Sequence, residues 1–382
     1  MRILLDIFLL FSIIGIVFIL SFMEKKIRFN IKKKIILCLV VLIALVCGNK
    51  VIGLDHENYE NMFINTDTVN LNLDLFKNMF DNHLEPGFII LISIIKDMGL
   101  GTQFFFFISA IIPLYLIYLI IIGKEKTLPF FTLLLFLLMN LLRGPVDTIR
   151  HFFAAAIYLS AIYSLSKDRN SRFYLKSSIS TLFHYSNVAI FLIRPFLKMK
   201  WTIKSYVISI VTLGILAFAS KNIIQNYISD LVFTSPILIK FQYYLVYSSD
   251  DINFMNNLHE VLWYLFTYSI VVLIVVVNIL ALRYRKSIEQ DKFYFLLLNS
   301  QIIGSILVLV LTAFNAENFG LRLNYLFSMG SFFIVKELIF KYLTKKNQIV
   351  FILFIIYLCL YNIIIILYFA GVYSPFSRFR LV

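Results

Sequence analysis

Charge is scarce in this chain. Only 15% of its 382 residues are Asp, Glu, Lys or Arg, against about 25% in soluble domains, which excludes an ordinary water-facing enzyme and a disordered chain. Cysteine is scarce too: Cys38, Cys47 and Cys359 lie in apolar stretches without CxxC spacing. That excludes a disulfide framework and a thiolate metal site, and the thiols read as small buried hydrophobes. Seven Pro and 13 Gly are too few for a collagen-like chain. The sequence also lacks a phosphate-cradling Gly loop, GxSxG, a Cys/His cluster and an Asp-x-Asp pair. Their absence disfavours a nucleotide-driven pump and a nucleotide-sugar transferase, and neither a metal nor another cofactor is expected.

What the chain has is apolar surface. Sixty per cent of residues are hydrophobic, with 40 Phe and 22 Tyr, a composition suited to lipid as solvent. Runs near the ~20 residues that a bilayer core requires are Ile3–Met23, Ile35–Leu54, Gln103–Ile122, Thr202–Ser220, Val261–Leu282, Phe293–Phe314, Phe319–Phe340 and Ile349–Ala370. Leu128–Leu142 and Ile149–Leu165 are shorter but bounded by polar punctuation. Pro86–Leu100 and Phe173–Ile193 are ambiguous. The first run is too long for a signal-peptide core and reads as an uncleaved helix. The expectation is one all-α polytopic membrane domain over residues 1–382. It has about ten crossings plus two re-entrant or tilted segments (86–100 and 173–193), or up to twelve crossings.

The net charge of +14 suits basic cytoplasmic loops better than a nucleic-acid partner, and none is expected. With ten crossings, stretches 24–34, 123–127, 166–176, 194–204, 283–292 and 341–348 fall on one side and hold 23 of the 35 Lys and Arg. The positive-inside rule makes that side cytoplasmic and puts the N-terminus outside. Loops 55–85 and 221–258 then face outward, the second rich in aromatics from Tyr227 to Phe254.

Ionisable groups at spans are functional candidates because lipid penalises them, and five motifs carry them. Arg143-Gly-Pro-Val-Asp147-Thr-Ile-Arg150-His151 spaces Asp147, Arg150 and His151 on one helical face. Pro145 and Asp147 suit a helix N-terminus, and such an end with guanidiniums would bind a phosphate or diphosphate. An Asp147–Arg150 ion pair is the plainer account. His184 lies in Phe183-His-Tyr-Ser186-Asn187, as an acid/base in a wet cavity or a structural histidine. Glu85 precedes Pro86-Gly87-Phe88, as a helix cap or as a carboxylate for a sugar hydroxyl. Asp55-His56-Glu57-Asn58-Tyr59 mixes acids and rings as carbohydrate recognition does, or is a solvated loop; its spacing does not suit a metal. Arg322-Leu-Asn324-Tyr325 is an outer-face guanidinium, or a snorkelling Arg beside a belt Tyr.

The order of these elements resembles the EpsG / Wzy-type family of bacterial exopolysaccharide (O-antigen-like) polymerases. Asp55-His-Glu-Asn-Tyr59, Glu85-Pro-Gly-Phe88, Ile149-Arg-His-Phe-Phe-Ala154, Phe183-His-Tyr-Ser186 and Arg322-Leu-Asn-Tyr325 are similar to that family's successive motifs. His151 stands where the family pattern has Gln, and His56 where it has Tyr. The resemblance implies an architecture similar to the GT-C-like fold and an enzyme of the bacterial cytoplasmic membrane. Such an enzyme joins polyprenyl-diphosphate-linked oligosaccharide repeats into exopolysaccharide or capsule at the outer face. The partners it implies are the lipid-linked glycan, membrane lipid, and the pathway's chain-length regulator and flippase.

On that reading His184 or Glu85 is the base and Arg150 acts in catalysis. Arg143, Arg150 and Arg322 hold the diphosphate. Asp55, His56, Tyr59, His151, Ser186, Asn324 and Tyr325 contact the glycan. The alternatives are a single-addition membrane glycosyltransferase using a lipid-phosphate sugar, a membrane O-acyltransferase, a lipid-linked oligosaccharide flippase, and a structural or partner-binding protein.

Overall fold

A lipid-facing backbone must satisfy its own N–H and C=O groups, so apolar runs of this length resolve into helices. The computed structural model describes residues 2–53, 55–66, 85–229, 242, 258–314, 316–342, 354–363 and 365, and these contain no strand. The helices are α1 (Arg2–Phe22), α2 (Phe29–Asn49), α3 (His56–Asn65), α4 (Pro86–Asp97), α5 (Thr102–Lys124), α6 (Pro129–Asn140) and α7 (Ile149–Ser166). After them come α8 (Asn170–Phe183), α9 (Ile203–Ser229), α10 (Leu258–Arg283), α11 (Lys292–Ala313), α12 (Glu317–Ser328) and α13 (Ser331–Tyr342), with α14 at Phe354–Ile363. Residues 67–84 of the first expected outer loop, and 230–257 of the second apart from Gln242, lie outside the described residues, as does most of stretch 341–348.

Four helices are long and apolar enough to cross a bilayer by themselves: Leu5–Phe22, Thr102–Lys124, Ile203–Tyr227 and Lys292–Ala313. Helices α12 and α13 form a fifth when taken as one span bent by 53°. Among the described residues, the other five of the ten expected spans do not meet that measure alone. Helix α2 starts with Lys32, Lys33 and Lys34, and α7 starts with Arg150 and His151. Helix α6 is apolar but shorter, and of the spans expected at 261–282 and 349–370 the described apolar portions are Tyr268–Arg283 and Phe354–Ile363.

The two ambiguous segments are distinct from these. Helix α4 has 12 residues and rises about 18 Å, short of a ~30 Å core. The chain after α8 turns back on itself. His184, at φ −158° and ψ 115°, ends the helix, and a 3₁₀ turn and the five-residue helix Ala189–Ile193 lead away. Arg194 Nη2 then donates to Asn170 Oδ1 at 3.0 Å. The two feet of residues 170–194 therefore touch, and His184 is the tip of a hairpin. Ser180 Oγ fixes that hairpin to α7 by donating to the Ala154 carbonyl at 2.8 Å.

Five of the six basic stretches meet at one end of the bundle. Lys32 donates to the Thr127 carbonyl at 2.7 Å, and Lys124 pairs with Asp291 at 2.7 Å. Lys292 pairs with Asp168, and Arg285 donates to the Trp201 carbonyl. Buried Lys336 adds an ion pair with Glu125 at 2.9 Å. The other end is defined by Asp6 of α1, whose Oδ2 accepts the Val51 N–H at 2.9 Å.

Between the ends, the main core buries α6 almost completely, from Phe130 to Leu138, against α7, α11 and α13 residues such as Phe152, Leu297 and Phe332. A second, smaller core joins α3, α4, α5 and α7 through Tyr59, Phe63, Phe88, Ile92, Phe105, Phe106 and Ile149.

Glu24 ties the α1–α2 connection to α6. Its oxygens accept the N–H groups of Phe130 at 2.6 Å and Phe131 at 3.2 Å, capping the helix from outside. Burial pushes its carboxyl up to about 7, against the pull of those bonds and Lys32. A raised folded-state value means that the native state keeps a proton the unfolded chain has lost. This contribution is complete below the ordinary carboxylate value and is lost as pH rises through about 7. Thermal unfolding in detergent is expected to show wild type gaining most on Glu24→Gln near about pH 5, with the difference shrinking through about pH 7. A difference independent of pH would refute the assignment.

Candidate active site

A cavity of about 140 Å³ lies at the end of the bundle away from the basic stretches. Asp55, Tyr59, Arg143, Asp147, Thr148, Arg150, His151, His184, Leu321 and Arg322 line it. The wall is assembled from termini: the start of α3, the α6–α7 turn, the first turn of α7, the α8 hairpin tip and the first half of α12.

The α6–α7 turn is not the expected helix start at Pro145. Residues Leu142–Asp147 form a π-helical turn, and α7 begins at Ile149. Pro145 has no N–H to continue an α-helical ladder, and the turn closes on wider rings. Val146 N–H donates to the Leu141 carbonyl at 3.3 Å, and Thr148 N–H to the Arg143 carbonyl at 3.0 Å. The close packing also requires Gly144, where a Cβ would lie 2.5 Å from the Tyr325 hydroxyl and 2.7 Å from the Phe152 ring. The result sets Arg143, Asp147 and Thr148 on the cavity beside Arg150 and His151.

Glu85 joins the parts. It is 2% exposed and stands at the N-cap of α4 ahead of Pro86, as the helix-entry reading expected, but its side chain makes no capping bond and turns to other partners. Its Oε2 pairs with Arg150 Nη1 at 2.5 Å, and its Oε1 meets His184 Nδ1 at 3.1 Å. The Asp147–Arg150 pair considered from spacing is replaced by this one, while Asp147 Oδ1 accepts the Asp55 N–H at 3.3 Å. A carboxylate in an ion pair only accepts hydrogen bonds, so Nδ1 of His184 carries the proton and Nε2 presents its lone pair.

Aromatic rings complete the floor. His151 packs on His184 with ring centres 4.7 Å apart and on Tyr325 at 5.0 Å. The Arg143 guanidinium lies 5.6 Å from the Tyr325 ring centre, and that of Arg150 5.6 Å from Tyr59. Among the described residues, His151 Nε2, His184 Nε2, Arg150 Nε and the Tyr325 hydroxyl are buried without a hydrogen-bond partner. Orphaned polar atoms gathered around one hollow mark a place for a polar ligand or water.

Of the residues singled out from sequence, Asp55, Tyr59, Arg143, Arg150, His151, His184 and Arg322 line the cavity, and Glu85 and Tyr325 stand directly behind it. The other three lie away from it. His56 stacks on Phe106 at 4.7 Å, and Ser186 sits in the turn after His184 with its hydroxyl buried. Asn324 faces α11, its Oδ1 3.6 Å from where a Cβ on Gly304 would lie. Tyr325 is 6% exposed, buried rather than in an interfacial belt. Sequence reasoning missed Lys50 and Tyr361. Lys50, like the three arginines, is a cation at the end of the bundle opposite the basic stretches, and that same signal would have found it. Tyr361 hydrogen-bonds Arg143 from α14, which no local motif announces.

The model of one protein family, described as EpsG family, matches residues 33–380. No curated protein and no solved structure matches the chain.

Breaking a buried ion pair from one side costs about 3–5 kcal/mol because a charge is left unpaired. The Arg150 side chain keeps a quarter of its exposure, which puts Arg150→Met at the lower end of that range. Adding Glu85→Gln is expected to recover most of the loss. Unfolding curves in detergent measure both; additive losses would show that the pair is not coupled.

Proposed function

The chain belongs to the EpsG family, and on that premise we propose that it polymerises polyprenyl-diphosphate-linked oligosaccharide repeats at the outer face of a bacterial cytoplasmic membrane. The observation that carries the proposal is the shared cavity. A histidine with a free Nε2 and three guanidiniums from separate elements line one hollow, at the end opposite the basic stretches. Ten crossings in a GT-C-like arrangement, with the N-terminus outside, fit that placement, and the α8 hairpin is then a re-entrant element.

His184 is the base. The acceptor hydroxyl gives its proton to Nε2 as its oxygen forms a bond to the donor's anomeric carbon. The bond from that carbon to the phosphate oxygen breaks, and its electron pair leaves on the polyprenyl diphosphate. Arg143, Arg322 and the remaining donors of Arg150 hold the charge that develops there. Glu85 fixes the tautomer and ring position of His184, because both its oxygens are already engaged, so it is an orienting group rather than the base. Asp55 and Tyr59 offer an acceptor and a ring to the sugar, with His151 beside the base. A sugar diphosphate is already activated, so the reaction needs neither nucleotide nor metal.

Purified protein supplied with a lipid-linked repeat unit is expected to yield a ladder of longer glycans and free polyprenyl diphosphate. His184→Ala is expected to slow this by about 10²–10⁴-fold, the usual worth of a positioned base, with folding retained. Gels of surface polysaccharide from a deletion strain separate the rivals. Single repeats on lipid support the polymerase, a truncated repeat means a single-addition transferase, and no lipid-linked repeat outside means a flippase.

A further inference from the structure

Lys50 is a buried cation behind the cavity wall, outside the lining. It follows the last turn of α2 and is 3% exposed. Its ammonium donates to the Val146 carbonyl inside the π turn, and it flanks the same point as Asp147: a Cβ on Gly53 would lie 3.5 Å from Lys50 Nζ and 3.6 Å from Asp147 Cα. The backbone around it is stitched to the same turn. Val51 N–H donates to Asp6 at 2.9 Å, and Asp55 N–H to Asp147 at 3.3 Å. Gly53 adopts φ +124°, and a Cβ there would lie 2.7 Å from the Val146 oxygen. The loop can approach this closely only with glycine.

This network has an electrostatic consequence. Asp55 and Asp147 share the cavity with Arg143, Arg150 and Arg322, and the charge of Arg150 is matched by Glu85. An incoming diphosphate thus meets two carboxylates in a weakly screened site, where like charges repel strongly.

We infer that Lys50 is the residue that makes the cavity receptive to a diphosphate, by compensating Asp147 from behind while gripping the turn that presents Arg143. It is a positioning residue, and the inference rests on the diphosphate reading of the site. The test measures binding of inorganic pyrophosphate by calorimetry to the full chain in lipid nanodiscs, with thermal midpoints recorded for each variant.

Lys50→Met is expected to weaken binding by about tenfold or more, while Lys50→Arg stays within about threefold of wild type. Asp147→Asn alone is expected to bind more tightly, and Lys50→Met/Asp147→Asn to return near wild type. A packing role would not be rescued by removing a charge. Unchanged affinity in Lys50→Met, or a loss that Asp147→Asn does not recover, overturns the inference while leaving the diphosphate site intact. Wild type that binds no pyrophosphate overturns the diphosphate reading and this inference with it. If Lys50→Met fails to fold, Asp147→Asn decides: tighter binding supports compensation, and unchanged binding overturns it.

Discussion

One carboxylate sets the arrangement of the cavity. Glu85 accepts from Arg150 and His184 on its two oxygens, so α4, α7 and the hairpin after α8 converge on a single buried group. An ionised carboxylate with so little exposure is tolerable only when it is paired and hydrogen-bonded. That requirement works in both directions. Arg150 keeps Glu85 ionised, and the ionised carboxylate dictates which imidazole nitrogen carries a proton. The free Nε2 of His184 is therefore a consequence of an ion pair formed with a different helix.

The same economy of charge organises the molecule from end to end. Lys32, Lys124, Arg285, Lys292 and Lys336 find carbonyls and carboxylates at one end, where they close the connections between helices. At the other end, Arg143, Arg150 and Arg322 line a hollow, with Lys50 behind its wall. Cations are expensive near hydrocarbon, and the first set has the ordinary justification of anchoring. The second set has none, and it stands beside buried atoms that lack partners.

Much of this was legible because lipid simplifies sequence. Apolar runs announced α1, α5, α9 and α11, an ionisable residue at a span end announced Arg143, Arg150 and Arg322, and one inside an ambiguous segment announced His184. What stayed illegible was pairing. Spacing put Asp147 and Arg150 on one helical face, but Pro145 widened the turn and started α7 two residues after Asp147, so Arg150 took Glu85, 65 positions away. Glu85 before Pro86 is the N-cap that the motif suggests, but the partners of its side chain lie far away in sequence, where a local motif does not reach. Asn324 and Tyr325 are neighbours in sequence and face different helices, α11 and α7, a distinction of about 100° around α12 that composition does not encode. The crossing count was blurred for a related reason: α6 is buried within protein, so it can be short and still be apolar throughout.

A cavity assembled from termini differs from one built on a single helix in how it fails. Arg143 is presented by a turn, Asp55 by a loop and His184 by a hairpin tip, and none has a helix of its own to hold its direction. Direction comes instead from cross-links between segments: Glu85 for the hairpin, Lys50 and Gly53 for the turn, Ser180 for the α8 face. Each link is a polar contact in a poorly screened interior, where satisfied bonds are strong and broken ones costly. Damage to one link should therefore misplace a group while the apolar bundle persists, because most of the main core lies along α6, α7, α11 and α13, with only Leu142 and Val146 of the turn reaching into it. Reactive groups that must be aimed within a fraction of an ångström depend here on a few polar links at the edge of the packing that keeps the chain folded.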